Sequence, residues 1–198
     1  MQIVYLSARP EVFSATLMVS ARLMPFLSKA LVVVPERMVD KFKSVQTRLD
    51  LVVLTDEEIT GCSRGELHQL DHSALNYRLR SDLVFRPEIE SEFIMSDDDY
   101  RPLCEIPVTT FVENNRHNAY YFYDLPLWKF GDNPFDHCQR NSMSVLQSLE
   151  LPVLAYASHM PQVINKVHFQ ESIKAVRAAT DKLGLCCLLY TSPSPRDA

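Results

Sequence analysis

A chain of 198 residues with 46% hydrophobic and 23% charged side chains holds enough apolar material for one soluble domain with a real core. Its net charge of −5, without a basic stripe, excludes a nucleic-acid partner, and its four glycines exclude a phosphate cradle of the Walker or dinucleotide type, which needs several at fixed spacing. Five scattered cysteines, Cys62, Cys104, Cys138, Cys186 and Cys187, form no CxxC pair and fit a reducing, cytoplasmic compartment, and no run reaches the roughly 18 apolar residues of a membrane span.

In chain order, Gln2 to Ser7 is apolar and β-branched enough for a first strand. Pro10 suits a helix start, and the apolar pattern from Val12 to about Met24 carries that helix, with Pro25 near its end. Leu31-Val32-Val33-Val34, stopped by Pro35, is a continuous apolar run of the kind found in parallel strands buried on both faces. A polar helix over Glu36 to Val45 follows, then the run Leu51 to Leu54 with Asp56-Glu57-Glu58 behind it. After a loop at Gly61 to Gly65, a helix is expected from Glu66 to about Leu79, and Phe93-Ile94-Met95 is the fourth strand.

This alternation predicts an α/β fold, a mostly parallel sheet flanked by helices. Beyond Tyr100 prolines and aromatics become frequent, and the expectation is a mixed, loop-rich half. Strands are expected at Val108 to Val112 and Tyr120 to Tyr123, a helix at Asp136 to Leu149, a last strand at Leu151 to Tyr156 and a final helix at Phe169 to Leu183. One domain is expected over residues 1–187, with a nucleotide-binding half at 1–100 and an acceptor half at 101–187. Residues 188–198 lack periodicity and carry two Ser-Pro steps, so they read as a non-native tail, with the native chain continuing beyond about Gly184.

The chemistry concentrates at Asp97-Asp98-Asp99, where the fourth strand stops. Adjacent carboxylates repel, and burying them without counter-charge is costly. Either the turn is solvated, or Asp97 and Asp99 give oxygen ligands to Mg²⁺ or Mn²⁺ holding a diphosphate. Asp98 points the other way if the chain is still extended, towards the sugar or a basic side chain. Asn76 and Arg80 lead towards this turn, and a guanidinium there would hold the diphosphate or pair with Asp98. His159, in a loop stiffened by Pro161, suits a metal ligand, a general base or a satisfied structural histidine, and Lys166 suits a phosphate contact or a solvated helix edge. His117, set among Arg116, Asn118 and the aromatics Tyr120, Tyr121, Tyr123 and Trp128, suits an acceptor sugar, or a packed aromatic core instead. Asp136 suits a helix N-cap or a base. His68 and His72, four apart on the helix expected there, would share one face, but Gln69 stands where the metalloprotease HExxH pattern needs glutamate.

The order of elements, closing on Ser96-Asp97-Asp98-Asp99, resembles the GT-A type of nucleotide-sugar glycosyltransferase. The resemblance covers roughly residues 1 to 180, and its Asp-x-Asp core falls on Asp97 and Asp99. It implies a divalent metal bridging protein and sugar-nucleotide diphosphate, a nucleotide-sugar donor and a saccharide or glycan acceptor. In that setting His159 and Asp98 are the catalytic candidates. A second, partial resemblance is to the Stealth family of bacterial capsular polysaccharide enzymes, which transfer a hexose 1-phosphate. It rests on Phe93 to Asp99 followed by Ser158-His159-Met160-Pro161-Gln162-Val163-Ile164-Asn165-Lys166, with Ser96 where that family usually has Asn. Both imply bacterial surface polysaccharide synthesis, in the cytoplasm or in peripheral contact with the inner face of the membrane. A non-catalytic sugar- or partner-binding module is the remaining reading.

Overall fold

A computed structural model describes residues 1–70, 72–156 and 160–184. Its centre is a five-stranded sheet. The strands are β1 (Gln2–Leu6), β2 (Lys29–Val34), β3 (Asp50–Thr55), β4 (Glu92–Ser96) and, completing the sheet, a strand at Gln162–Asn165. The first four run parallel, in the spatial order β3-β2-β1-β4, and Gln162–Asn165 adds antiparallel to β4.

Alternation along the strands builds two cores. Ile3, Tyr5, Val32, Val34 and Ile94 face one side, under α1 (Pro10–Leu23) and α2 (Val39–Lys43), where Phe13, Leu17 and Phe42 close over them. Val4, Leu6, Leu31, Val33, Phe93 and Met95 face the other side. There they meet Ile59 of α3 (Asp56–Thr60), and Leu79 and Leu83 of α5 (His72–Leu83), with α4 (Arg64–Leu67) between those helices in the chain. Burial on both faces is why these strands read as unbroken apolar runs. The α/β class expected from the sequence is the one found.

Several boundaries differ from expectation, each for a local reason. The helix expected over Glu36 to Val45 is a 3-10 turn at Glu36–Met38 followed by the short α2. The helix expected from Glu66 is two helices, because a capping box at Ser63 and Glu66 starts α4 early and α5 begins afresh at His72. His68 and His72 therefore do not share a helix. Asp56, Glu57 and Glu58 are the first turn of α3, with Thr55 and Glu58 forming another capping box.

In the second half, the strand expected at Val108 to Val112 is a 3-10 turn at Val108–Thr110, and a minimal hairpin of β5 (Val112–Glu113) and β6 (Arg116–His117) follows it. Asn114 and Asn115 turn it with positive φ of 52° and 59°, which suits a tight hairpin turn. Tyr120 to Tyr123 and Leu151 to Tyr156 are not strands. They meet only at scattered backbone bonds and a single bridge, Asp124 to Leu154. The helix α6 (Pro134–Ser148) is capped by Asn133, whose side chain accepts from the Asp136 amide at 2.9 Å, so Asp136 is not the N-cap. The fifth sheet strand, β7 (Gln162–Asn165), escaped the sequence reading and leads directly into α7 (Lys166–Leu183). No helix among the described residues is long and apolar enough to cross a membrane.

Candidate functional site

The chain runs outward from β1 to β2 to β3, then returns past β1 to place β4 on its other side. Helices therefore diverge from the gap between β1 and β4, and the carboxyl ends of these two strands border a crevice. In open α/β sheets that reversal of strand order is where ligands bind. Tyr5 pairs in register with Ser96, so the residues that follow the two strands, Ser7 to Arg9 and Asp97 to Asp99, emerge side by side.

Those residues form one charged cluster. Asp98 is buried, with 1% of its side chain exposed. Ser7 Oγ donates to its Oδ2 at 2.5 Å, and Arg9 donates to both oxygens, through Nε to Oδ2 at 3.3 Å and through Nη2 in a closer contact to Oδ1. Arg9 Nη2 also reaches Asp99 Oδ2 at 3.2 Å. The Arg9 amide donates to Ser7 Oγ at 3.1 Å, tying the loop to its own side chain. From α5, Arg80 Nη2 approaches Asp97 Oδ1 at 3.4 Å, and both side chains are mostly buried, at 10% and 15% exposure. Asp99 is half exposed.

The two guanidiniums answer the repulsion that the sequence poses. Among the described residues, three carboxylates against two arginines leave one net negative charge at the carboxyl ends of β1 and β4. The hydrogen bond that Arg9 donates to Asp98, with the charge of that carboxylate, raises the Arg9 pKa above the ordinary value. Burial raises the Tyr5 phenol, a hydrogen bond with Ser20 opposes this, and the Asp98 charge adds to the rise.

Of the two partners expected for Asp98, it takes a basic side chain, and that side chain is Arg9 rather than Arg80. Asp98 is buried and held by Ser7 and Arg9. Arg80 does reach the acidic turn, on Asp97. Asn76 lies one helical turn earlier on α5 and is buried. Two expected residues are elsewhere. His117 Nε2 contacts Glu92 Oε1 at 3.0 Å, at the amino end of β4. Lys166 Nζ donates to the carbonyls of Arg86 at 2.8 Å and Ile89 at 3.2 Å. Because β7 runs antiparallel to β4, with Glu92 opposite Asn165, Lys166 also lies at the amino edge, a strand length from the aspartates. His159 lies outside the described residues.

Among the described residues, no group of three or more histidine, cysteine, aspartate or glutamate side chains gathers as a metal centre. The donors at the turn nonetheless suit a hard cation. Asp99 is a half-exposed carboxylate, Asp97 lies mostly buried beside it, and Mg²⁺ is commonly held by one or two carboxylates together with substrate phosphates. Ser7 and Arg9 were not singled out in the sequence. The available signal was the position of Ser7-Ala8-Arg9 directly after β1, the same place in its strand that the aspartates occupy in β4.

Asp136 instead organises the aromatic region. It accepts from Trp128 Nε1 at 2.8 Å, the Gly131 amide at 2.6 Å and Asn133 Nδ2 at 2.8 Å. These bonds, that of Trp128 foremost, hold its carboxyl below the ordinary value. Tyr123 stacks on Trp128 with ring centres 5.0 Å apart, and Tyr120 donates to the Thr110 carbonyl at 2.5 Å.

No family model matches the chain. A search of curated proteins gives no match either. Among solved structures, the chain is similar to the galactosyltransferase LgtC in complex with donor and acceptor sugar analogs, at 13% identity and a TM-score of 0.45. That similarity covers 91% of this chain, which spans 66% of the length of LgtC.

Proposed function

We propose that this chain is a metal-dependent glycosyltransferase of GT-A type, moving a sugar from a nucleotide-sugar donor to a saccharide or glycan acceptor in bacterial surface polysaccharide synthesis. The observation that carries the reading is the place of Asp97, Asp98 and Asp99. They sit at the carboxyl end of β4, in the crevice where strand order reverses, with Arg9 and Arg80 closing round them.

In this reading Asp97 and Asp99 hold Mn²⁺ or Mg²⁺. When bound, the cation acts as a Lewis acid that neutralises charge on the departing diphosphate. Arg80 fixes the Asp97 carboxylate from the side of α5, and Arg9 does the same for Asp99 from the β1–α1 loop. The single negative charge left by the cluster favours a cation, and the two guanidiniums limit the repulsion felt by the diphosphate that follows. The acceptor oxygen forms its bond to the anomeric carbon as the bond from that carbon to the diphosphate oxygen breaks. His159 is the candidate for the acceptor proton, and the reaction belongs in the cytoplasm or at the inner membrane face.

Product analysis tests this. The protein is incubated with UDP-, GDP- and CMP-sugars, Mn²⁺ and a panel of oligosaccharide acceptors. A new glycosidic linkage with release of the nucleotide is the expected result, abolished in Asp97→Ala. A phosphodiester in the product would replace glycosyl transfer by hexose-1-phosphate transfer.

A further inference from the structure

Arg9 is held in an unusual way for a residue at the rim of a crevice. Its Nε and Nη2 face Asp98, and Nη2 also reaches Asp99. This engages one edge of the planar guanidinium. The other terminal nitrogen, Nη1, carries two further N–H groups and meets no acceptor among the described residues, while the side chain keeps 25% of its surface exposed. Asp98 itself is almost fully buried, and Ser7 Oγ donates to the same Oδ2 that Arg9 Nε meets, fixing the carboxylate further.

A buried ion pair is weak evidence for stability, because desolvating both charges offsets much of their attraction. A carboxylate sunk beneath an arginine does, however, fix where the guanidinium plane points. Guanidinium edges match phosphate oxygens as they match carboxylates. Arg9 stands at the amino end of α1, where helix dipoles favour anions, and its Nη2 contact sets the guanidinium beside the half-exposed Asp99.

The geometry points to Arg9 as a donor-binding residue, whose Nη1 takes an oxygen of the donor diphosphate, with Ser7 and Asp98 as the positioning residues that aim it. This rests on the donor-site reading above and adds to it a basic contact from the β1–α1 loop.

The test must separate aiming from mere charge neutralisation. Arg9→Met alone leaves Asp98 buried without a counter-charge and risks unfolding. The double variant Arg9→Met/Asp98→Asn removes guanidinium and buried charge together and keeps an acceptor for Ser7. Calorimetric titrations of UDP and GDP, each with Mn²⁺, and of uridine and guanosine, are made on wild type and on the double variant.

The expected result is a loss of roughly tenfold or more in diphosphate affinity in the double variant, the scale of one charge-assisted hydrogen bond, with nucleoside affinity unchanged. Equal diphosphate affinity in wild type and double variant overturns the role of Arg9 while leaving the donor site in place. A parallel fall in nucleoside affinity also overturns it, since the effect would then be structural. Wild-type protein that binds neither diphosphate removes the donor site itself, and this inference with it.

Discussion

Three adjacent carboxylates repel one another, and Asp97, Asp98 and Asp99 resolve this in three ways. Asp98 is buried against Arg9 and Ser7, Asp97 is mostly buried against Arg80, and Asp99 stays half exposed at the rim. The sequence displayed the carboxylates and one of their arginines. It hid Arg9, because nothing local in Ser7-Ala8-Arg9 reveals that β1 and β4 are neighbours; only the strand order does. Removing one partner of a buried pair leaves an uncompensated charge. Arg9→Met should therefore cost roughly 2–4 kcal/mol in urea unfolding, the partial exposure of Arg9 keeping it below the full buried-pair penalty, and adding Asp98→Asn should recover part of it. Asp136 gives a pH-dependent test. Its folded pKa is depressed, so its contribution to stability is full above the ordinary value of 3.8 and is lost as pH falls through the lower folded value. Asp136→Asn should be less stable than wild type at pH 7, and thermal melts at pH 3 should show that gap narrowed. A gap of constant size would mean that the carboxylate is not what ties Trp128, Gly131 and Asn133 together.

At the level of elements, β1 to β4 were legible because a strand buried on both faces has no polar side to interrupt it. What failed was the choice between two later segments. Leu151 to Tyr156 has more apolar residues than Gln162 to Asn165, yet the second joins the sheet. Pro152 removes a backbone donor from the first, and β7 is selected by an open edge of β4 that no sequence window displays. The same antiparallel addition carries Lys166 to the amino edge, where its ammonium holds the carbonyls of Arg86 and Ile89. Lys166→Met should thus cost about 1–3 kcal/mol in chemical denaturation and leave nucleotide affinity at the wild-type value. A selective loss of affinity without loss of stability would place Lys166 back in the donor site.

At the level of the whole molecule, the α/β class followed from alternating runs and helical spacing, whereas the crevice required topology. The reversal from β3 back across β1 to β4 brings the β1–α1 loop to α5 and the acidic turn, Arg9 meeting Asp98 across 89 residues of chain and Arg80 meeting Asp97 across 17. The central claim is that this place binds a nucleotide-sugar diphosphate through a divalent cation on Asp97 and Asp99. A thermal-shift screen of UDP-, GDP- and CMP-sugars, with and without Mn²⁺, measures it on wild type, Asp97→Ala and Asp99→Ala. The account predicts a rise in melting temperature for at least one nucleotide sugar in wild type, dependent on Mn²⁺ and absent in both variants. No shift with any nucleotide, or shifts that persist in both variants, would contradict it.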